Sequence, residues 1–393
     1  MDEGCGSRGS DTGRTMRPPP PGAPRRQRTE GWSCFEHLCR RPHASMKPPN
    51  GSKQEVLGTG AAATMRRMPV EWTADAAAFL RREWASLREA DPDSTFFHTP
   101  EYLRLYWEEF GSRPPHVAFV RDGSEVASVA AFDIAQGTAT FLGGFEVTDY
   151  LGPVGLRQAR EPAAKELMAA FAARSDWETA DFRGLAVDSG WHEALSDGAR
   201  AAALEVETGD DGLAPLLTLP SSFDGYLSSL PGKLRHELRR KKRRFQEAFP
   251  SAQLVDATAS TFTSDFETFA QLHRASRGRK GRFMYAGMER FFQHLGDALL
   301  PEGTFRLVFL ESDGSKLAGA VGFRDRDTFR LYNSAYDHTH AALSPGIVLL
   351  TLLIEDLIGS GCLAVDLLKG EEEYKFRLGA VPRRIGRLLL RRR

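Results

Sequence analysis

From Glu71 onward, apolar residues recur with a regular period, and the period switches along the chain. Ala77, Leu80, Trp84 and Leu87 in "EWTADAAAFLRREWASLREADPD" share one helical face, with Thr73 placed to cap it. Leu103, Trp107 and Phe110 repeat at helical spacing in "STFFHTPEYLRLYWEEFG", and Gly111 stops that helix. The pattern then turns to alternation. "HVAFVRDG" and "EVASVAAFDIA" flank the turn "RDGS", a hairpin signal, and "TATFLGG" predicts a further strand. A helix over "REPAAKELMAAFAARS" and a strand over "TADFRGLAV" follow.

The second half repeats the order. Helices are predicted over "FDGYLSSLPGKLRHELRRKKRRFQEAF", "TSDFETFAQLHRASRG" and "GMERFFQHLGDALL". A meander of strands, "TFRLVFLES", "LAGAVGFRD" and "DTFRLYNSAYD", comes next. The helix "SPGIVLLTLLIEDLIGSG", the strand "CLAVDLLKG" and a last strand, "GRLLLRRR", complete it. The repeated plan predicts an α/β (α+β) chain of two similar parts, residues 69–205 and 206–393. Residues 1–68 lack apolar periodicity and are rich in Pro, Gly, Arg and Ser, so they are expected to form a disordered extension, with Met65 or Met68 a candidate start.

Composition narrows the classes. No apolar run approaches the length of a membrane span, so none is expected. The formal net charge of zero hides an asymmetry: residues 1–68 carry 12 basic against 6 acidic residues, which leaves the remainder mildly acidic. A general polyanion binder is usually basic overall, so DNA is not expected as a partner. Cys5, Cys34 and Cys39 match no zinc spacing, and the scattered histidines form no ligand set, so no metal is expected. Cys362 sits in an apolar run and reads as a buried structural thiol, which suits a reducing, cytoplasmic location.

Against that acidic background stands "KLRHELRRKKRRFQEAF". Lys233, Arg235, Arg239, Arg240, Lys241, Lys242, Arg243 and Arg244 place eight bases in twelve residues. Leu230, Leu234, Leu238, Phe245 and Phe249 supply one apolar stripe, so the helix must pack on the protein. Its bases form a solvated face, hold a phosphate-bearing ligand, or serve nucleic-acid binding or nuclear import.

Two further stretches carry candidate chemistry. In "LSPGIVLL", Ser344 can cap a helix that starts at Pro345, and Gly346 lets a ligand approach the free amides of the first turn, a seat for phosphate; the alternative is a simple cap. In "CLAVDLLKGEEEYK", Asp366 lies inside an apolar strand, where a carboxylate is costly without a partner or a purpose. Lys369 or a nearby Arg can neutralise it, and Lys375 follows Tyr374 just beyond the strand.

In order and spacing, "FHTPEYLRLYW", "TDYLGPV", "LRHELRRKKRRF", "LAGAVGF", "YNSAYD", "LSPGIVLL" and "GCLAVDLLKGEEEYK" resemble the GNAT acyltransferase superfamily, in its CelD/BcsL-type branch related to FemAB-like proteins. The resemblance covers most of residues 94–380. It implies two tandem GNAT-like domains, each a mixed, mostly antiparallel sheet flanked by helices, with the acyl donor in the C-terminal one. It also implies an acetyl-CoA-dependent N-acetyltransferase, or one using another acyl-CoA. The acceptor would be an amine of a small molecule or of an envelope or glycan precursor. One departure is clear: the Arg/Gln-x-x-Gly-x-Gly/Ala phosphate loop usual in GNAT enzymes is absent. A FemAB-like transferase drawing on aminoacyl-tRNA, and a non-catalytic factor of polysaccharide biosynthesis, are the alternatives.

In a site of this kind Asp337 or Asp366 would take the amine proton, and Tyr332, Tyr336 or Tyr374 would return one to sulfur. Amides of "RLYNSAYD" would face the oxyanion. Ser344, Gly346 and Ile347 would face phosphate, and Lys375 or Lys369 a phosphate or substrate carboxylate. Asp149 and Tyr150 of "TDYLGP" would face the cleft between the two parts. No cysteine nucleophile is needed.

Overall fold

The computed structural model describes residues 67–276 and 279–393. Of the segment expected to be disordered, only Arg67 and Met68 fall within these residues, and Met68 is already buried. In chain order the elements are β1 (Val70–Thr73), α1 (Arg82–Ala90), α2 (Pro100–Phe110), β2 (His116–Asp122), β3 (Glu125–Ala135), β4 (Thr138–Phe141), α3 (Arg160–Ala172), β5 (Thr179–Ala186), α4 (Trp191–Ala201) and β6 (Glu205–Leu213). There follow β7 (Leu216–Thr218), α5 (Phe223–Ser229), α6 (Gly232–Ala248), β8 (Gln253–Asp256), α7 (Phe262–Arg274), α8 (Arg279–Phe283) and α9 (Ala286–Leu299). The last elements are β9 (Phe305–Ser312), β10 (Ser315–Asp325), β11 (Thr328–Tyr336), α10 (Pro345–Gly359), β12 (Ala364–Asp366), α11 (Glu373–Arg377) and β13 (Arg384–Arg391).

The fold is mixed α/β, with two mostly antiparallel sheets among the described residues. One has the order β1-β2-β3-β4-β5-β13-β6, the other β7-β12-β11-β10-β9-β8. Helices α3 and α4 cover the outer face of the first sheet. Helices α5, α6 and α10 cover the outer face of the second. Between the sheets, α1, α2, α7 and α9 share one aromatic core in which Phe96 stacks on Phe323 at 4.2 Å between ring centroids. That core draws on both halves of the chain, so the halves bury apolar surface against each other.

Several local expectations change. Thr73 ends a strand rather than capping a helix; the cap is Asp75, whose side chain accepts from the Ala77 amide at 2.8 Å. Ala77 and Leu80 lie in a short 3-10 turn, Ala76–Leu80, outside α1, so Trp84 and Leu87 are buried while Leu80 is exposed. The strand "GRLLLRRR" is present, but it lies between β5 and β6 in the first sheet. Its inward residues Ile385, Leu388 and Leu390 are buried. Its outward arginines meet acids across the strands: Arg387 with Asp181 at 2.5 Å, Arg384 with Asp210 at 2.6 Å and Arg391 with Glu207 at 3.5 Å. Alternation and charge together select that slot and register.

Candidate functional site

Each sheet contains one place where parallel strands begin to pair and then part. In the first, β4 and β5 pair only at Thr138↔Thr179 and Ala139↔Ala180. In the second, β11 and β12 pair from Thr328↔Ala364 to Arg330↔Asp366, after which β11 runs on to Tyr336 paired with β10 alone. Each split exposes the backbone of one strand edge.

The first split is filled by the chain itself. Leu151 N–H donates to Gly184 O at 2.9 Å, and Val154 bridges to Val129. The approach to α3 is occupied as well. The buried Arg160 donates to Asp91 at 2.7 Å and to Gly155 O at 2.9 Å, and Asp91 accepts from the Gly155 amide at 3.0 Å. No comparable plug closes the second split among the described residues.

A β-bulge shapes that second split. Against β10, Val321 faces Asn333 but Gly322 faces Leu331, so Tyr332 is the extra residue. A Cβ on Gly322 would stand 2.3 Å from the Phe329 ring and 2.6 Å from Arg330 O, so only glycine fits opposite the bulge. The extra residue reverses the alternation. Phe329 and Leu331 face α10, Ala335 faces the central core, and Tyr336 faces α10 again. Tyr332 and Tyr336, four apart, would share a face in a regular strand; here they lie on opposite faces. Asp337 N–H donates to Leu317 O on β10, which puts the Ser334 and Tyr336 amides on the open edge. The Ser334 amide is capped there only by the Asn333 side chain, at 3.0 Å.

The segment after β4 reaches this split from the other half. Tyr332 Oη donates to Val147 O at 2.6 Å. Asp149 accepts from the Lys369 amide at 3.1 Å, and Lys369 Nζ donates to Asp211 at 3.0 Å. Asp366 accepts from the Leu368 amide at 2.9 Å. The buried Tyr150 hydroxyl lies beside the Asp366 carboxylate, close enough to interact but short of regular hydrogen-bond geometry. Asp149, Tyr150, Asp366, Lys369 and Tyr332 thus converge. Burial dominates their protonation: it lifts Asp149 from 3.8 to about 6, helped by the neighbouring Asp366, and raises Asp366 as well, against the pull of Arg330. Tyr150 and Tyr332 are pushed well above the usual tyrosine range by burial and stay protonated.

Lys375 joins this group as a strut. It is buried, and its Nζ donates to Leu368 O at 3.0 Å, Lys369 O at 3.2 Å and Gly370 O at 3.3 Å, with Glu372 at 2.9 Å. These bonds hold a loop in which Leu368 (φ 56°) and Gly370 (φ 134°) take positive φ. The ammonium is saturated and has no donor left for a ligand.

Tyr336, Asp337, Ser344, Gly346 and Ile347 lie at the far end of β11. Six residues of strand separate the level of Asp366 from Tyr336, roughly 20 Å. Asp337 caps the turn His338–Leu343, accepting from the Thr339 amide at 2.9 Å and its hydroxyl at 2.8 Å. Those bonds hold its carboxyl below the usual range, which makes it a poor base. Ser344 sits in the left-handed region (φ 57°) without a side-chain cap. Its carbonyl takes the amides of both Ile347 and Val348 at 3.1 Å, so the Ile347 amide is already engaged. Pro345 has no N–H, which leaves the half-buried Gly346 amide unpartnered in that first turn. A Cβ on Gly346 would lie 3.2 Å from the Tyr336 ring, so the tyrosine packs closely against this residue. Tyr374 lies on α11 and packs against the outer core, its hydroxyl raised by burial. Cys362 is buried and its thiol raised.

Sequence reasoning passed over Asp211, in the polar run "GDDGL", and Arg383, whose guanidinium lies 5.2 Å from the Tyr150 ring centroid. The paired acids of that run were the available signal for Asp211. An open polar cleft of about 430 Å³ lies elsewhere, lined by Arg88, Glu101, Arg324 and Arg326 among others. Its arginines are spoken for: Arg88 pairs with Asp325, Arg324 donates to Ser360 O at 2.8 Å, and Arg326 donates to Arg88 O at 2.7 Å.

Residues 232–376 match the family model described as an acetyltransferase (GNAT) domain. Among solved structures, FemX is similar at 12% identity with a TM-score of 0.59, over 78% of this chain and 95% of FemX. A conserved Bacteroides thetaiotaomicron protein of unknown function gives 11% and 0.56, over 82% of this chain and 100% of its own. The C-terminal domain of a candidate lysylphosphatidylglycerol synthetase from Agrobacterium fabrum gives 11% and 0.51, over 81% and 92%. At these identities the likeness is one of fold. No curated protein sequence matches the chain.

Proposed function

Starting from the GNAT domain in residues 232–376, we propose that the protein is a cytoplasmic acyltransferase of the CelD/BcsL-type branch. It moves an acyl group from acyl-CoA to an amine of a small molecule or glycan precursor. The observation that carries this reading is the open edge of β11. It begins at the bulge beside Asp149 and ends at the one unpartnered amide of the α10 start. The first sheet's equivalent split is plugged, which supports a single donor site, in the second half.

The residues fit such a donor at both ends. The Gly346 amide would hold a phosphate oxygen, with Tyr336 alongside, in place of the missing glycine-rich loop. Bound acyl-CoA would supply a thioester carbonyl. The Ser334 and Tyr336 amides on the free edge are donors for an oxyanion, Ser334 after release from Asn333. Asp149, lifted to about 6, is matched to accept the proton of an ammonium acceptor near neutral pH. Tyr332, protonated and adjacent through Val147 O, is the group that can return a proton to the departing thiolate. The C–N bond forms as the C–S bond breaks; of the two protons the ammonium gives up, Asp149 takes the first, and the second replaces the proton that Tyr332 gives to the thiolate sulfur.

Titration calorimetry with acetyl-CoA tests the donor. Saturable binding is expected, lost in Gly346→Asp, where a carboxylate meets the phosphate, and kept within severalfold in Gly346→Ala. Equal loss in both variants with unchanged circular dichroism would mean that shape alone, and no phosphate, is read there.

A further inference from the structure

Two ammonium groups stand in the surroundings of Asp149, and among the described residues it forms an ion pair with neither. Lys375 Nζ is engaged by the carbonyls of Leu368, Lys369 and Gly370 and by Glu372. Lys369 offers Asp149 only its backbone amide, at 3.1 Å, while its Nζ turns away to Asp211 at 3.0 Å. That ammonium hangs on a flexible four-carbon stem from the residue whose amide already touches Asp149. Something must hold it elsewhere.

Asp211 is placed to do so. In β6, Gly212 pairs with Ile385 and Asp210 with Gly386, which leaves Asp211 as the extra residue of a bulge. Asp210 is exposed and pairs with Arg384, whereas the Asp211 side chain is only 9% exposed. One Asp211 oxygen accepts both Lys369 Nζ and the Gly184 amide, the latter at 3.1 Å, so β5 fixes the carboxylate. The neighbouring backbones are strapped together: Gly370 N–H donates to Leu213 O and Leu367 N–H to Pro215 O, each at 2.9 Å. The Lys369 stem passes Gly212, 3.7 Å from where a Cβ would stand. Arg387 of β13, which also acts on Asp211, is paired with Asp181.

The other groups facing Asp149 are Asp366 from β12, Tyr332 from β11 and Tyr102 from α2. Both tyrosines are buried and stay protonated, so the charges that act on Asp149 are those of Asp366 and the two lysines. Lys375 is fixed by four contacts; the Lys369 ammonium is held by one carboxylate. Released beside Asp149, it would favour the ionised carboxylate and weaken it as a base. We infer that Asp211 is a positioning residue: by holding the Lys369 ammonium on β6, it leaves the Asp149 carboxylate unpaired and able to accept a proton. The inference rests on Asp149 being the base of the proposed reaction, and Asp211 acts through Lys369, not on the substrate.

Carbon-13 NMR of the full chain, labelled at the aspartate carboxyls, tests it. The Asp149 signal, assigned by its loss in Asp149→Asn, should titrate at about 6 in the parent. Asp211→Asn keeps an oxygen for the Gly184 amide, and in it the midpoint should fall by about one to two pH units. Asp211→Asn/Lys369→Met should bring the midpoint back, since no ammonium is then left to release. A merely structural loss would not be repaired by removing a second contact. An unmoved midpoint in Asp211→Asn overturns the inference, as does a lowered midpoint that persists in the double variant. A parent midpoint of about 4, the ordinary aspartate value, would sink it together with the base assigned to Asp149. The expected midpoints in a chain that fails to bind acetyl-CoA would uphold the hold of Asp211 on Lys369 and sink only the acyl-CoA reading.

Discussion

Replacing Asp149 with Asn isolates the charge at the junction between the halves. The carboxylate is enclosed by Lys369, Asp366 and Tyr332, and burial lifts its pKa from 3.8 to about 6. The folded protein therefore holds this proton more tightly than the unfolded chain does. Stability falls as pH rises from about 4 through 6, opposite to the behaviour of a salt-bridged aspartate. The shift corresponds to about 3 kcal/mol at neutral pH. Asp149→Asn keeps the oxygen that accepts from the Lys369 amide and removes the charge. Urea unfolding of both proteins from pH 4 to 7.5 should give equal stabilities at the acid end. The variant should gain with rising pH, reaching about 2–3 kcal/mol by pH 7. Its acyl transfer should be lost, while the parent's kcat/KM rises with pH through about 6. A stability difference that is flat across this range, or a variant weaker than the parent at pH 7, would refute the placement of a strained base here. Such a result would leave Asp149 as an ordinary loop acceptor.

Other outcomes follow from the same geometry. Lys375→Met leaves three carbonyls of the 368–370 loop without their donor and should cost about 3–5 kcal/mol in urea unfolding, with no rescue by Arg. Gly322→Ala forces a methyl into the Phe329 ring and should lower stability by about 1–3 kcal/mol, while tyrosine fluorescence reports the disturbed bulge at Tyr332. Asp325→Ala strands the buried Arg330 and the half-buried Arg88 and should lower stability by about 3–5 kcal/mol, measured by thermal and urea unfolding.

Much of this protein was present in its letters. Helical spacing marked α2, α3, α7, α9 and α10, and alternation marked both meanders, because burial on one face imposes a period wherever the element forms. The cost of a carboxylate in an apolar strand singled out Asp366, which is buried. The basic side of α6 and its apolar stripe were equally legible. Other features had no local signal. The strand β6, "EVETGDDGL", is polar and reads as a loop; it is a strand because β13 offers arginines to its acids. The 3-10 turn before α1 exists because Asp75 caps it, which a face count does not register.

What the sequence by itself determined, then, is the set of elements and which side of each must be buried, since those depend on neighbours one to four residues away. Tertiary structure decided the rest, because it concerns groups far apart in the chain. It moved the last strand into the first sheet and, among the described residues, plugged one strand split but not the other. Through a single extra residue at Tyr332 it sent two tyrosines to opposite faces. It brought Asp149 to Lys369 across 220 residues and spent Lys375 on the loop between them and α11. Those assignments follow from which backbone groups remain unpaired once the sheets have closed, a property of the packed molecule and of no segment within it.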